Sequence, residues 1–400
     1  MSVALRIAIF GESYLPYLSG VTIATEALAH GLTEAGHHVL LVVPRPADQL
    51  PTPAPAEPAV AWLPSYQGPP PAPPGYRIPL PVPSRALAEA RDFRPDIVHA
   101  QSPFVSGLMA RRTARSVRAP LVFTHHTRFG DYRHYLGPLA APGGALMSAY
   151  LHRFWLGCAA VIAPGSDLAA EISGTIGPGH PRPLVRAIPT GLELDWIAAL
   201  PQGHPRREAG WSPGEDFVVA SVGRLAREKS VDVLLEAFAR AAAGRPEMRF
   251  LLIGAGPLEE MVRQRAERPD LRGRVFVTGR RSRGEALGLL KACELFAFAS
   301  HTETQGLVLA EALACGVPVV ALEGPGVRDT VRDGIDGIVV PRDPQAGAED
   351  RLASALVTLA IDKKRREEMA LSAGQGASRF ALQRRVGEVV ELYREALASP

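Results

Sequence analysis

Glu303 and Glu311 stand with seven residues between them in HTETQGLVLAEALACGVPVV, and Gly306 lies where a helix should begin. Glycine there allows close backbone approach, and the free amides of a helix start can hold a diphosphate. Glu303 then sits before the helix and Glu311 inside it, two acceptors at different depths for sugar and ribose hydroxyls. The same spacing also suits an acid complementing the helix dipole and a solvated helix residue, so both readings stand. Arg224 and Lys229 lie in GRLAREKS after the apolar run FVVASV. A phosphate leaving group gains charge as its bond breaks, and fixed cations stabilise it: arginine as a fork, lysine as a point charge. Lys229 is the first of only four lysines among 44 basic residues. A solvated turn explains the pair equally on these grounds, and Arg227 in the same loop is expected at the surface.

In the first half, THHT (124–127) follows an apolar run, which puts His125 and His126 at a strand end. A neutral histidine there can accept a proton or orient a hydroxyl; it can also be merely hydrogen-bonded. Gly20, ahead of a first helix, either admits a phosphate or sugar or is a turn glycine. GAGP (254–257) has Glu259 where a dinucleotide fingerprint needs glycine, and the chain has neither a DxD pair nor a GxxxxGK[ST] loop. Cys158, Cys293 and Cys315 lack metal-ligand or CxxC spacing, so no metal or disulfide framework is expected.

The elements that must position these residues alternate. LRIAIF (5–10), a helix from Val21 to Ala35 and HVLLVV (38–43) form a βαβ unit; PDIVHA (95–100), a helix to Arg118, APLVFTHH (119–126) and AAVIAP (159–164) continue it. Residues 44–83 hold 15 of the 37 prolines, an extended excursion that is either a loop or a decorated sheet edge. The rhythm restarts with FVVASVG (217–223), a helix over 231–242, RFLLIGAG (249–256), RVFVTG (274–279), ELFAFAS (294–300), VPVVAL (317–322) and GIVV (337–340), and two helices close the chain. Buried strands separated by helices predict an α/β protein of two Rossmann-like domains facing across a cleft. At roughly 100–200 residues per domain the length allows two or three. The expected organisation is one Rossmann-like domain over 1–190, a second over 191–375 and a terminal helix over 376–400. That helix, with Val386, Val389, Val390, Tyr393 and Leu397 at helical spacing, can dock on either domain.

Hydrophobic content of 46% and charged content of 21% describe a globular chain. No apolar run is long enough to span a bilayer, and the N-terminal run containing Arg6 fits a strand better than a signal peptide, so a cytoplasmic location is expected. The net charge of +3 is too small to imply nucleic-acid binding. Residues 77–133 carry ten arginines and four acids. Arg111, Arg112, Arg115 and Arg118, with Phe129, Tyr132 and Tyr135 among Arg128 and Arg133, suit an anionic lipid surface. An ordinary solvated face explains them as well.

Taken in order, ESYLPYLSGV with Gly20, VFTHHT, IPTGLELD, VGRLAREKS, LLIGAGP and the Glu303–Glu311 segment resemble the retaining nucleotide-sugar glycosyltransferases of family four, which have the GT-B fold. The resemblance covers nearly the whole chain. It implies that Arg224 and Lys229 bind the donor diphosphate, that Glu303 contacts the transferred sugar and that Glu311 holds the ribose. It further implies phosphate contacts at Gly306 and Leu307, a cleft-lining Gly20, and His126, with His125 as second choice, as the active-site histidine. Such enzymes retain configuration and need no bound metal. Within the family, SPFVSGLMAR, THHTRFGDYRHYL and ETQGL are similar to bacterial diacylglycerol α-glucosyltransferases. The resemblance therefore implies UDP-glucose as donor, with UDP-galactose or GDP-mannose behind it, and a lipid acceptor met peripherally at the inner face of the cell membrane. A soluble sugar, polyol or phosphatidylinositol acceptor, a non-catalytic nucleotide-sugar binder and an epimerase are the alternatives.

Overall fold

The computed structural model describes residues 3–17, 19–47, 57–69, 75–128, 140–177, 183–212, 214, 216–342 and 347–398. It divides into two compact units, Met1–Gly191 with Ala381–Pro400, and Leu192–Phe380. The first unit opens with β1 (Arg6–Phe10), α1 (Gly20–Glu34), β2 (His38–Pro44) and β3 (Ala59–Leu63). A hairpin of β4 (Ser65–Gln67) and β5 (Arg77–Pro79) leads to α2 (Arg85–Asp92), β6 (Ile97–Ala100), α3 (Val105–Val117) and β7 (Leu121–Thr124). Then come α4 (Ala140–Trp155), β8 (Ala160–Ala163), α5 (Ser166–Ile176) and β9 (Leu184–Ala187). Seven strands form one parallel sheet in the order β3-β2-β1-β6-β7-β8-β9. Alternation along β1 sends Ile7 and Ile9 into one core and Ala8 and Phe10 into the other, so helices must cover both faces.

The second unit contains α6 (Leu194–Ala199), α7 (Pro205–Glu208), β10 (Phe217–Val222), α8 (Val231–Ala242), β11 (Met248–Ile253), α9 (Glu259–Ala266), β12 (Val275–Val277) and α10 (Arg283–Leu290). It continues through β13 (Leu295–Phe298), α11 (Leu307–Ala314), β14 (Val319–Leu322), α12 (Val327–Thr330), β15 (Gly337–Val340), α13 (Ala348–Ile361) and α14 (Lys363–Gly376). The sheet order is β12-β11-β10-β13-β14-β15, all parallel. The final helix, α15 (Leu382–Ala398), belongs to the first unit. Its stripe of Leu382, Val386, Val389, Val390, Leu392 and Tyr393 is buried, worth on the order of 10 kcal/mol before ordering entropy. Tyr393 is fully buried, with its hydroxyl 2.6 Å from Nδ1 of His99.

The proline-rich excursion is a decorated sheet edge, one of its two expected readings: it contains the edge strand β3, tolerated because Pro58 and Pro64 flank it and an edge strand pairs on one side only. Two other expectations are corrected. Three helices close the chain instead of two, since the Asp362 side chain accepts from the amide of Arg365 and starts α14 anew. Residues 377–380 stay with the second unit, so the return falls at Phe380/Ala381 and not at 375/376. Phe380 is buried in that unit's core, and Arg379 pairs at 2.7 Å with the fully buried Asp336, which also holds Arg332 at 2.7 Å.

Candidate active site

In open parallel sheets ligands bind beyond the carboxyl ends of strands, where the strand order reverses. In the second unit that reversal lies between β10 and β13, and the loops leaving those two strands carry the cations and carboxylates. After β10, a short 3₁₀ turn over Arg227–Lys229 places Lys229 last, and Ser230 takes a left-handed conformation (φ 50°) before α8 starts. Lys229 Nζ donates to a carboxylate oxygen of Glu303. Two further contacts join the same loops: Ser230 Oγ lies 3.1 Å from His301 Nδ1, and Ser300 Oγ donates to the Glu228 carbonyl at 3.1 Å. Arg224 is more open, 54% exposed and 3.9 Å from the buried Glu228. Arg227 is exposed, as expected.

Gly306 caps α11 with φ 72°, a left-handed conformation that glycine adopts without strain. Behind it, Thr330 Oγ1 donates to the Gln305 carbonyl at 2.9 Å, fixing the loop that delivers Gly306 and Leu307. The first-turn amides of α11, at the positive end of its dipole, thus follow directly on the loop that carries Glu303. Glu311, one turn into the helix, is buried and not solvated. Its Oε1 accepts from Arg283 Nε at 2.7 Å. Burial pushes its carboxyl pKa upward, and Arg283 opposes that shift. Gly254 of GAGP is structural: a Cβ there would lie 2.0 Å from the Gly223 carbonyl oxygen, so the glycine lets the loops after β10 and β11 pack.

In the first unit the order reverses between β1 and β6. Gln101, just after β6, donates its backbone N–H to the Phe10 carbonyl at 2.9 Å and presents Oε1 2.7 Å from His126 Nε2. Accepting from the His126 Nε2–H, it fixes the tautomer and the plane of the ring. His126 lines a cavity of about 40 Å³ with Gln101, Thr124, Thr190, Gly191 and Arg385. Burial, with a smaller contribution from His125, lowers its pKa to about 3, so the ring is neutral near pH 7. His125 is used up internally. The Trp155 indole N–H donates to its Nδ1 at 3.1 Å, its Nε2–H donates to the Thr127 carbonyl at 2.9 Å, and its pKa falls to about 4.

Gly20 is the first residue of α1, not a residue ahead of it; Ser19 caps the helix by accepting from the Thr22 amide at 3.1 Å. Gly20 is exposed, and a Cβ there would meet nothing within 4 Å, so no protein packing demands glycine. On α3, Arg112 and Arg115 are exposed, while Arg111 lies 5.8 Å over the Phe154 ring and so is partly committed to packing. Phe129, Tyr132 and Tyr135 lie outside the described residues. Sequence reasoning missed Arg283 and Gln101. The capping box of Ser282 and Glu285, visible as SRGE, would have put Arg283 on the first position of a helix.

Residues 18–196 match the family model Glycosyltransferase Family 4, and residues 206–396 match Glycosyl transferases group 1. An alpha-monoglucosyldiacylglycerol synthase of Acholeplasma laidlawii is 29% identical over 84% of each chain. A GDP-mannose-dependent alpha-mannosyltransferase of Mycobacterium tuberculosis (strain CDC 1551 / Oshkosh) is 29% identical over 90% of this chain and 89% of its own. Among solved structures, Anabaena HepE in complex with UDP and glucose superposes with a TM-score of 0.71 at 20% identity, covering 98% of this chain and all of that one.

Proposed function

The chain belongs to the glycosyltransferases of GT-B architecture, and from that premise we propose that it moves a hexose, with retention, from UDP-glucose to the hydroxyl of diacylglycerol. The observation that carries the donor half is the meeting of the Arg224–Lys229 loop and the Glu303–Leu307 loop at the carboxyl ends of β10 and β13. Two cations and a helix N-terminus suit a diphosphate, and a carboxylate one residue group away suits the sugar it carries. In this reading Arg224, Lys229 and the amides near Gly306 and Leu307 bind the diphosphate. Glu303 releases Lys229 to the incoming phosphate and takes the hexose hydroxyls, and Glu311 holds the ribose.

The transfer breaks the bond between the anomeric carbon and the phosphate oxygen and forms one to the acceptor oxygen on the same face. The acceptor proton passes to the departing phosphate, whose growing charge Arg224 and Lys229 meet without a resident metal or cofactor. Neutral His126, held by Gln101, orients a hydroxyl of the sugar or acceptor, and Gly20 lines the donor's path. The lipid acceptor is supported by the name of the Acholeplasma relative and by Arg112 and Arg115, exposed on α3 and suited to anionic headgroups. On the same two grounds we place the enzyme peripherally at a lipid surface; no helix among the described residues is long and apolar enough to cross a membrane. The mannosyltransferase relative, equally similar, favours GDP-mannose as the competing donor.

The test offers UDP-glucose, UDP-galactose and GDP-mannose, each with dispersed diacylglycerol, phosphatidylinositol or soluble sugars and polyols. A new glycolipid from UDP-glucose and diacylglycerol supports the reading. Transfer only to a soluble acceptor rejects the lipid half, and turnover only with GDP-mannose rejects the donor.

A further inference from the structure

Arg283 is held on three sides within the second unit. As the first residue of α10 it is placed by the Ser282–Glu285 capping box, in which Ser282 Oγ accepts from the Glu285 amide at 3.3 Å and Glu285 accepts from the Ser282 amide at 2.9 Å. Its guanidinium carbon lies 4.9 Å from the Trp196 ring centroid, and Nη1 lies 3.9 Å from Glu193 Oε2. Its Nε reaches Glu311 Oε1 at 2.7 Å, and the two side chains are 19% and 10% exposed.

This contact uses one nitrogen and one carboxylate oxygen instead of the two-by-two fork an arginine can make. Among the described residues, Glu311 Oε2 has no protein hydrogen bond. A carboxylate so deeply buried on an otherwise apolar helix would rotate or take up a proton without a fixed cation, and either change removes an acceptor. We propose that Arg283 is a positioning residue for nucleoside recognition, pinning one oxygen of Glu311 so that the other accepts a ribose hydroxyl and selects ribonucleotide over deoxyribonucleotide donors. This rests on the reading of Glu311 as the ribose contact. Trp196 and Glu193 set the direction of the guanidinium, so the preference depends on α6 and α10 as well as α11.

The experiment measures binding of UDP, 2′-deoxy-UDP and 3′-deoxy-UDP by calorimetry to the wild type, Glu311→Ala, Arg283→Met, Arg283→Gln and the Arg283→Met/Glu311→Ala double variant, with thermal unfolding as a check on folding. Wild type should prefer UDP over at least one deoxy analogue by about 10- to 100-fold, as for hydrogen bonds to a charged acceptor. Glu311→Ala should level that ratio, and Arg283→Met should reduce it at least fivefold by about the same route. In the double variant the arginine change should add no more than about twofold. A ratio that survives Glu311→Ala, or is absent from wild type, overturns the ribose reading itself. A ratio abolished by Glu311→Ala but intact in Arg283→Met overturns the inference about Arg283. If Arg283→Met does not fold, Arg283→Gln, which keeps a neutral donor, takes its place, and an undiminished ratio there is equally fatal.

Discussion

Replacing Lys229 by alanine separates a donor-binding cation from a structural one. Unit charges 4 Å apart interact by about 4 kcal/mol at an effective dielectric of about 20. The Lys229 side chain is 33% exposed, and before donor binding it is already paired with Glu303. Solvent screening and that exchange reduce the net loss in the transition state to about 2–3 kcal/mol, a fall in kcat/KM of about 30- to 150-fold. The leaving group gains charge as the bond breaks, so kcat should fall along with UDP affinity. The assay is the initial rate of UDP release from UDP-glucose with acceptor present, together with calorimetric titration of UDP. Thermal unfolding distinguishes a lost site from a lost fold. Values of kcat/KM and UDP affinity within threefold of wild type, in a folded variant, would remove Lys229 from the site.

Three other outcomes are expected. His126→Ala should lower kcat by at least tenfold with UDP affinity unchanged, whereas His125→Ala should cost about 2–4 kcal/mol of stability, because it strands the Trp155 indole N–H and opens a cavity; equal melting temperatures for the two would contradict this division. His99, His125 and His126 have native pKa values of about 3, 4 and 3 against 6.5 unfolded, so the unfolded chain binds more protons and stability is lost as pH falls. Between pH 6.5 and 4 the first unit should lose up to about 4 kcal/mol per pH unit, and a melting temperature independent of pH in that window would refute the buried neutral histidines. Asp336→Asn should destabilise the second unit by about 3–5 kcal/mol, since Arg332 and Arg379 lose their shared anion, and denaturant unfolding reads it directly.

The strands of both sheets were legible wherever they form near-continuous apolar runs, as in FVVASV and RFLLI. β3 was not, because AVAWL sits among prolines whose local rule argues against a strand, while pairing with β2 across the excursion overrides it. β9 is partly exposed and α2 is a short helix of low hydropathy, so neither stands out as a buried period. Arg224, Lys229, Glu303 and Glu311 could be singled out because strand ends and a helix start mark their places locally. Arg283 and Gln101 act on partners 28 and 25 positions away in sequence, and that pairing is created only when α10 meets α11 or β6 meets β7. The two histidines of THHT are equivalent in type and spacing, and only the Trp155 indole 30 positions on separates the core one from the cavity one.

The most direct measurement is the structure of the product formed from UDP-glucose and diacylglycerol in mixed vesicles, extracted into organic solvent and read by mass and by the anomeric proton coupling. The expected result is a single α-hexosyl diacylglycerol formed with stoichiometric UDP, at a rate insensitive to EDTA and lowered by about 30- to 150-fold in Lys229→Ala. A β-linked product, a glycoside found only in the aqueous phase, or release of free glucose alone would contradict it.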